Sequence, residues 1–499
     1  MRSLISLGLL LFTPLALAQE AHDHGVPEKL GEVSFPISCS PSVQTQFNRA
    51  VALLHSFAYS AANQAFQAVA AKDPKCAMAH WGAAMTYYRQ LWDPPLLPST
   101  FADAQKEIRS AQQIGTSSGR ERQFIQALSA IYLNADTAPY STRAVQYEDA
   151  MRVLAESNRS DVEAQVFYAL ALLANAPPTD KTHTNQKNAV ALLEPLYLSH
   201  PQHPGIPHYL IHACDNQELA QEGLPAARVY AQIAPSAPHA LHMPSHIFTR
   251  LGLWDDSIAS NIAARDAARQ QHDTGEELHA MDYLVYAYLQ AGRSEQALQV
   301  IQQLNAMPDI EASIMASDFK SSYAATAMPI RYAVERSQWD DAAKIVPPTG
   351  AAPLHVVAIA FWSRGVGLAR TGHPTEAAAA ADPMRKIEEQ LRKSGNDYWA
   401  TQVKILAREV IAWSAQAAGR PDEAVTLMRA SADEEDAIEK LPVTPGPIIP
   451  AREQLGDLLL QQGHAEMALI EFQTSLKNAP GRRGSTQGVA QASEIAGRN

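Results

Sequence analysis

The chain has 499 residues, more than one typical hydrophobic core needs, so it folds either as several domains or as a repeat array without a single centre. It is rich in alanine and leucine and holds only 24 glycines, a balance that favours helix. A formal charge of −12 excludes a general electrostatic attraction to nucleic acid or anionic lipid.

Residues 1–18 read as a secretory signal, with Arg2 as the positive start, Leu4 to Leu11 as the apolar stretch and Ala16-Leu17-Ala18 as the small-residue cleavage site. The mature chain is therefore expected to begin at Gln19 and to be periplasmic or secreted. No later apolar run approaches the length that crosses a bilayer. Residues 19–42, containing His22 and His24, read as a mobile lead-in. Three cysteines in an oxidising compartment leave at least one unpaired. Cys39 stands just before the first predicted helix and Cys76 at the junction of the first two repeats, so we pair Cys39 with Cys76 and expect Cys214 to be an inert core thiol.

Between Val43 and Pro74, the residues Ala50, Leu53, Ala62, Phe66 and Pro74 are spaced like the small, large and breaker positions of a helix-turn-helix unit. A second unit opens around Trp81 and Ala84 and runs into a proline-rich loop at Asp93 to Pro98. These begin an N-terminal set over 43–187, whose repeat marks blur between Ala102 and Leu173. A central set over 188–310 is fixed by Ala189, Leu193 and Pro201, then Gly252 and Trp254, then Gly292 and Ala297. A C-terminal set over 311–480 is anchored by Trp339, Gly365, Gly372, Gly419, Gly456, Gly463, Phe472 and Pro480. Residues 481–499 read as a frayed tail or a partial cap.

Nine of the seventeen histidines fall between His200 and His279. Among them, His208 and His212 are repeated 34 residues later as His242 and His246. Residues four apart share one face of a helix, so each pair can converge on one ion. Pro244 should bend or restart its helix between His242 and His246, and the same Met-Pro step recurs at Met328-Pro329. The motifs HExxH, CxxCH and CxxC and a phosphate-binding loop are absent.

In its 34-residue period and its small, large and breaker positions, the chain from about Val43 to Pro480 resembles the tetratricopeptide-repeat family. The segment from HPGIPHYLIHACDN to APHALHMPSHIFTRLGLWDDSI also looks like one found in a subgroup of secreted bacterial members. The resemblance implies an all-α, right-handed superhelical solenoid of helix-turn-helix repeats. It also implies that positions 2, 5, 9 and 12 of each first helix line a concave groove. His208 and His212 then take positions 5 and 9, and Asp215 takes position 12. His239, His242 and His246 take positions 2, 5 and 9 of the next unit, and His279 and Asp282 take positions 2 and 5 of the one after. Further along, the groove would show Arg331, Trp362, Glu409, Trp413 and Glu453. The Lys and Asn combination with which peptide-binding members hold a terminal carboxylate is not matched in this chain.

Three functions are compatible with this pattern. The first is a scaffold whose groove binds a transition metal (zinc, copper or iron) or a small ligand through one four-nitrogen site of His208, His212, His242 and His246, with Asp215, His239, His279 and Asp282 around it. The second is a protein-interaction scaffold that takes a peptide in the groove. The third is a metal-dependent enzyme using the same histidines. The sequence does not specify self-association.

Overall fold

The computed structural model describes residues 28–91, 98–133, 135–314 and 319–497. The signal at 1–18, His22, His24 and most of the Asp93–Pro98 loop lie outside the described residues. The chain is an all-α solenoid of tetratricopeptide-like hairpins, and there is no β-strand among the described residues. Each helix packs chiefly on the next in sequence, so the apolar core runs on from hairpin to hairpin. No described helix is long and apolar enough to cross a membrane.

The repeat marks have direct physical causes. A β-carbon on Gly82 would sit 2.2 Å from the Phe66 ring, and one on Gly456 would sit 2.7 Å from the Phe472 ring, so these helices close on an aromatic face that only glycine admits. Gly252 and Gly292 end their helices with φ of 69° and 73°. The residues after them, Leu253 and Arg293, donate backbone N–H groups to Phe248 and Tyr288, closing left-handed caps that turn the chain into the second helix.

Several segments are better ordered than their sequences suggest. Of the lead-in, residues 28–42 are not mobile: Leu30 and Phe35 are buried and Ser38 hydrogen-bonds Glu121, which ties the strand-less segment to the first hairpins. Cys39 and Cys76 form a disulfide, with Cα atoms 5.0 Å apart. Cys214 is free and buried, and its burial raises the thiol to about 12. Within the tail, Arg483–Ala496 is a helix whose Gly488 lies against Phe472.

The solenoid also coils back on itself. Trp254 donates its indole N–H to the Gly481 carbonyl, and Arg482 reaches Glu335, Glu453 and Tyr286. Segment 437–450, which is not helical, also joins distant hairpins. Its Glu439 N–H bonds the Pro178 carbonyl at 2.7 Å, and the carbonyls of Gly446 and Pro447 accept from Arg331 at 3.1 and 3.0 Å.

Candidate metal centre

The helix Gly205–Cys214 carries His208 and His212, whose Nε2 atoms are 3.1 Å apart. In the next unit the chain forms two short helices, Pro238–His242 and Pro244–Arg250. Pro244 thus restarts the helix as its missing N–H requires, but Met243 keeps helical angles (φ −52°, ψ −37°), so the bend is slight. The Nε2 atoms of His242 and His246 remain 3.0 Å apart. At Met328-Pro329 the outcome differs, because the helix Phe319–Glu335 runs through the proline.

The four paired histidines do not form one shared site. Each pair is completed by the position-2 histidine of the following hairpin, giving the sets His208, His212, His239 and His242, His246, His279. Within each set the ligand nitrogens lie within 4.8 Å of one another. Position 2 is near the start of the next first helix, which stacks beside the preceding hairpin. His239 and His279, expected to border the site, are therefore candidate ligands in their own right. The sets adjoin, with ring centroids 6.0 Å apart for His212 and His246 and also for His239 and His242.

The other ring nitrogens are held from behind, as metal-binding imidazoles usually are. His208 donates its Nδ1–H to the His55 carbonyl at 2.5 Å. His242 donates to Asn261 Oδ1 at 2.6 Å, and the Asn261 amide nitrogen is itself committed to the Ser257 carbonyl, which fixes the amide orientation. His246 donates to Asp215 Oδ2 at 2.9 Å, and His239 is 3.3 Å from Glu276. For His242 and His246 the consequence is definite. Both Nε2 atoms carry lone pairs and face each other at contact distance with no proton between them. Two opposed lone pairs need a proton or an ion to bind them, and burial disfavours the proton, lowering His246 to about 4 and His242 well below its ordinary value. His208, His212, His239 and His279 are also lowered, first by burial and then, for His208, His212 and His279, by neighbouring histidines: His212 for His208, His246 for His212 and His242 for His279. All six are neutral at pH 7 and ready to ligate.

Charges around the centre are balanced. Burial pushes the Asp215 carboxyl up, but Lys440 at 2.7 Å and Arg250 at 2.8 Å, with His246, hold it well below the usual range. Glu276 is likewise kept ionised by Lys320 and His239 against its burial. Phe57 roofs the first set, with ring centroids 4.4 Å from His208 and 5.4 Å from His239. It does so from a φ of 52°, where a bulky residue is strained and glycine would normally stand. A cavity of about 90 Å³ is lined by His212, Asp215, Asn216, Leu173 and the Lys440–Pro442 segment, so it reaches the first set at His212.

The remaining expected groove residues play other parts. Asp282 orients no histidine, since it is buried and paired with Arg331 at 3.0 Å. Trp362 donates to Glu409 and Trp413 donates to Gln454, which also bonds Glu409. Glu453 binds Arg482 and Ser485. All of these are buried, so they form an interior polar network and do not line an accessible groove. A further cluster, His55, Glu163 and His203, also has metal-like spacing. There His203 accepts the Gly205 N–H on Nδ1, so both histidines donate Nε2–H to Glu163, at 2.8 and 3.1 Å. That cluster is satisfied without an ion and serves to position the His55 carbonyl under His208.

Sequence reasoning missed Asn261, Glu276, Lys440 and Phe57, which come from other helices and turns and carry no spacing relation to the pairs. The position-2 recurrence of His239 and His279 was the one available signal.

No family model matches the chain, and no curated protein matches it. Among solved structures it is similar to yeast Tom70, with 10% identity, 91% of this chain and 88% of that chain covered, and a TM-score of 0.34. It is similar to a human IFIT1 dimer with m7Gppp-AAAA, with 9% identity, 84% and 90% coverage and a TM-score of 0.38. For the TPR domain of P58(IPK) the figures are 12%, 92%, 99% and 0.23. With identities and scores this low, the fold rests on the chain's own hairpins.

Proposed function

We propose that this chain is an exported helical-repeat protein whose central histidine core binds a transition metal. The observation that carries this reading is the facing pair of unprotonated Nε2 atoms on His242 and His246, each locked in that tautomer by a buried acceptor behind it. Zinc, copper and iron all accept such imidazole sets. The Cys39–Cys76 disulfide supports the export reading, because such bonds persist in oxidising compartments.

The test is metal analysis of protein purified without an affinity tag, together with reloading of chelator-stripped protein. Stoichiometric metal that falls in a His242→Ala/His246→Ala variant with unchanged circular dichroism supports the reading. Metal well below one per chain, with no uptake by the stripped protein, removes it. A peptide-binding scaffold has less support, since segment 437–450 already occupies two donors of Arg331, a residue expected in the groove. A peptide ligand would have to displace it.

A further inference from the structure

The two histidine sets are built alike. Each takes an i, i+4 pair from the first helix of one hairpin and one histidine from the start of the first helix of the next. Stacking one more repeat thus duplicates the ligand set, and the second set stands beside the first with no acid or thiolate ligand in either. A single ion taking four nitrogens from both pairs would not draw on His239 and His279, although their nitrogens lie within ligand spacing of the pairs. One ion per set uses all six.

The surrounding charge limits which ions fit. Six neutral imidazoles contribute nothing, and the two nearby carboxylates, Asp215 and Glu276, are already matched by Lys440, Arg250 and Lys320. Two divalent ions would bring four positive charges into a buried site where Glu163, bonded only to His55 and His203, is the one carboxylate near the centre without a Lys or Arg partner, a large desolvation cost. Two univalent ions halve that charge. Among transition metals available to proteins the univalent ion is copper(I), and imidazole is a ligand type that copper accepts.

We propose that the core is a paired copper(I) site, with one ion held by His208, His212 and His239 and a second by His242, His246 and His279. This rests on the metal-binding reading above.

The experiment is an anaerobic titration of the stripped full-length protein with copper(I), supplied as its acetonitrile complex in competition with a chromophoric copper(I) chelator, and in parallel with zinc(II). Two copper(I) per chain are expected, falling to one in His208→Ala/His212→Ala and to one in His242→Ala/His246→Ala. His239→Ala and His279→Ala should each weaken one ion at least tenfold and spare the other, and circular dichroism confirms that every variant is folded. Saturation at one copper(I), or loss of all binding when either pair is removed, overturns the paired site while leaving a metal protein. Tighter stoichiometric uptake of zinc(II) than of copper(I) overturns the choice of ion. Failure to bind either metal, or iron(II) added as a third probe, overturns the metal reading as a whole.

Discussion

His355 lies flat against Trp399, with ring centroids 4.1 Å apart and planes 10° from parallel, and burial alone lowers its pKa to about 3. In the unfolded chain it titrates near 6.5. The folded value is the lower one, so the stabilising contribution is complete above about pH 6.5 and is lost as pH falls toward 3, at up to ~1.4 kcal/mol per pH unit. The six histidines of the core shift in the same direction and add to the slope when no metal is bound. Thermal unfolding in the presence of a chelator should therefore show a midpoint that falls steadily from pH 7 to pH 5. A His355→Phe variant should show a shallower fall, and a midpoint flat across that range in the native chain would contradict the burial of these imidazoles as neutral groups.

The helix Ala220–Ile233 fixes the spacing between the two histidine-bearing segments. A β-carbon on its Gly223 would lie 2.6 Å from Cys214 Cβ and 2.8 Å from Ile247 Cδ1, so this glycine lets the helix seat against both at once. Gly223→Ala is expected to cost about 1–3 kcal/mol through overpacking. It should also loosen the Asp215 to His246 contact that joins them. Urea unfolding gives the first effect, and metal affinity reduced about tenfold at constant helix content gives the second. Equal affinity in this variant would mean that the two segments do not need each other's register.

Two links that join distant parts of the chain can be cut separately. The Cys39–Cys76 bond closes a sequence separation of 37. Chain-entropy reasoning assigns such a loop about 4 kcal/mol, so Cys39→Ser/Cys76→Ser should unfold at lower denaturant by that amount while leaving metal content unchanged. Lys440 is buried against Asp215, and burial lowers its pKa to about 8. Lys440→Met should release segment 437–450 from the central hairpins at a cost of about 1–3 kcal/mol. Amide exchange over 437–449 should then speed up more than elsewhere, and metal should exchange faster with external chelator. Unchanged exchange over that segment would show that Lys440 is not its fastening.

The sequence by itself determined the helical hairpins, their 34-residue period and the pairing of histidines within a helix, because these are set by local geometry: 3.6 residues per turn and small residues where helices cross. It also placed Asp215 and the Cys39–Cys76 pair near their partners in the chain. It did not show which histidines come within ligand spacing, since a four-residue spacing does not reveal that His239 and His279 join the pairs from the following hairpins. Nor did it show that Arg331, Trp362 and Glu409 face each other and a returning segment instead of solvent. Those outcomes depend on how far the solenoid twists per repeat, which sums small packing angles over many hairpins. Only the tertiary structure decided that the coil closes, bringing Lys440 to Asp215 and Gly481 to Trp254 across more than 200 residues.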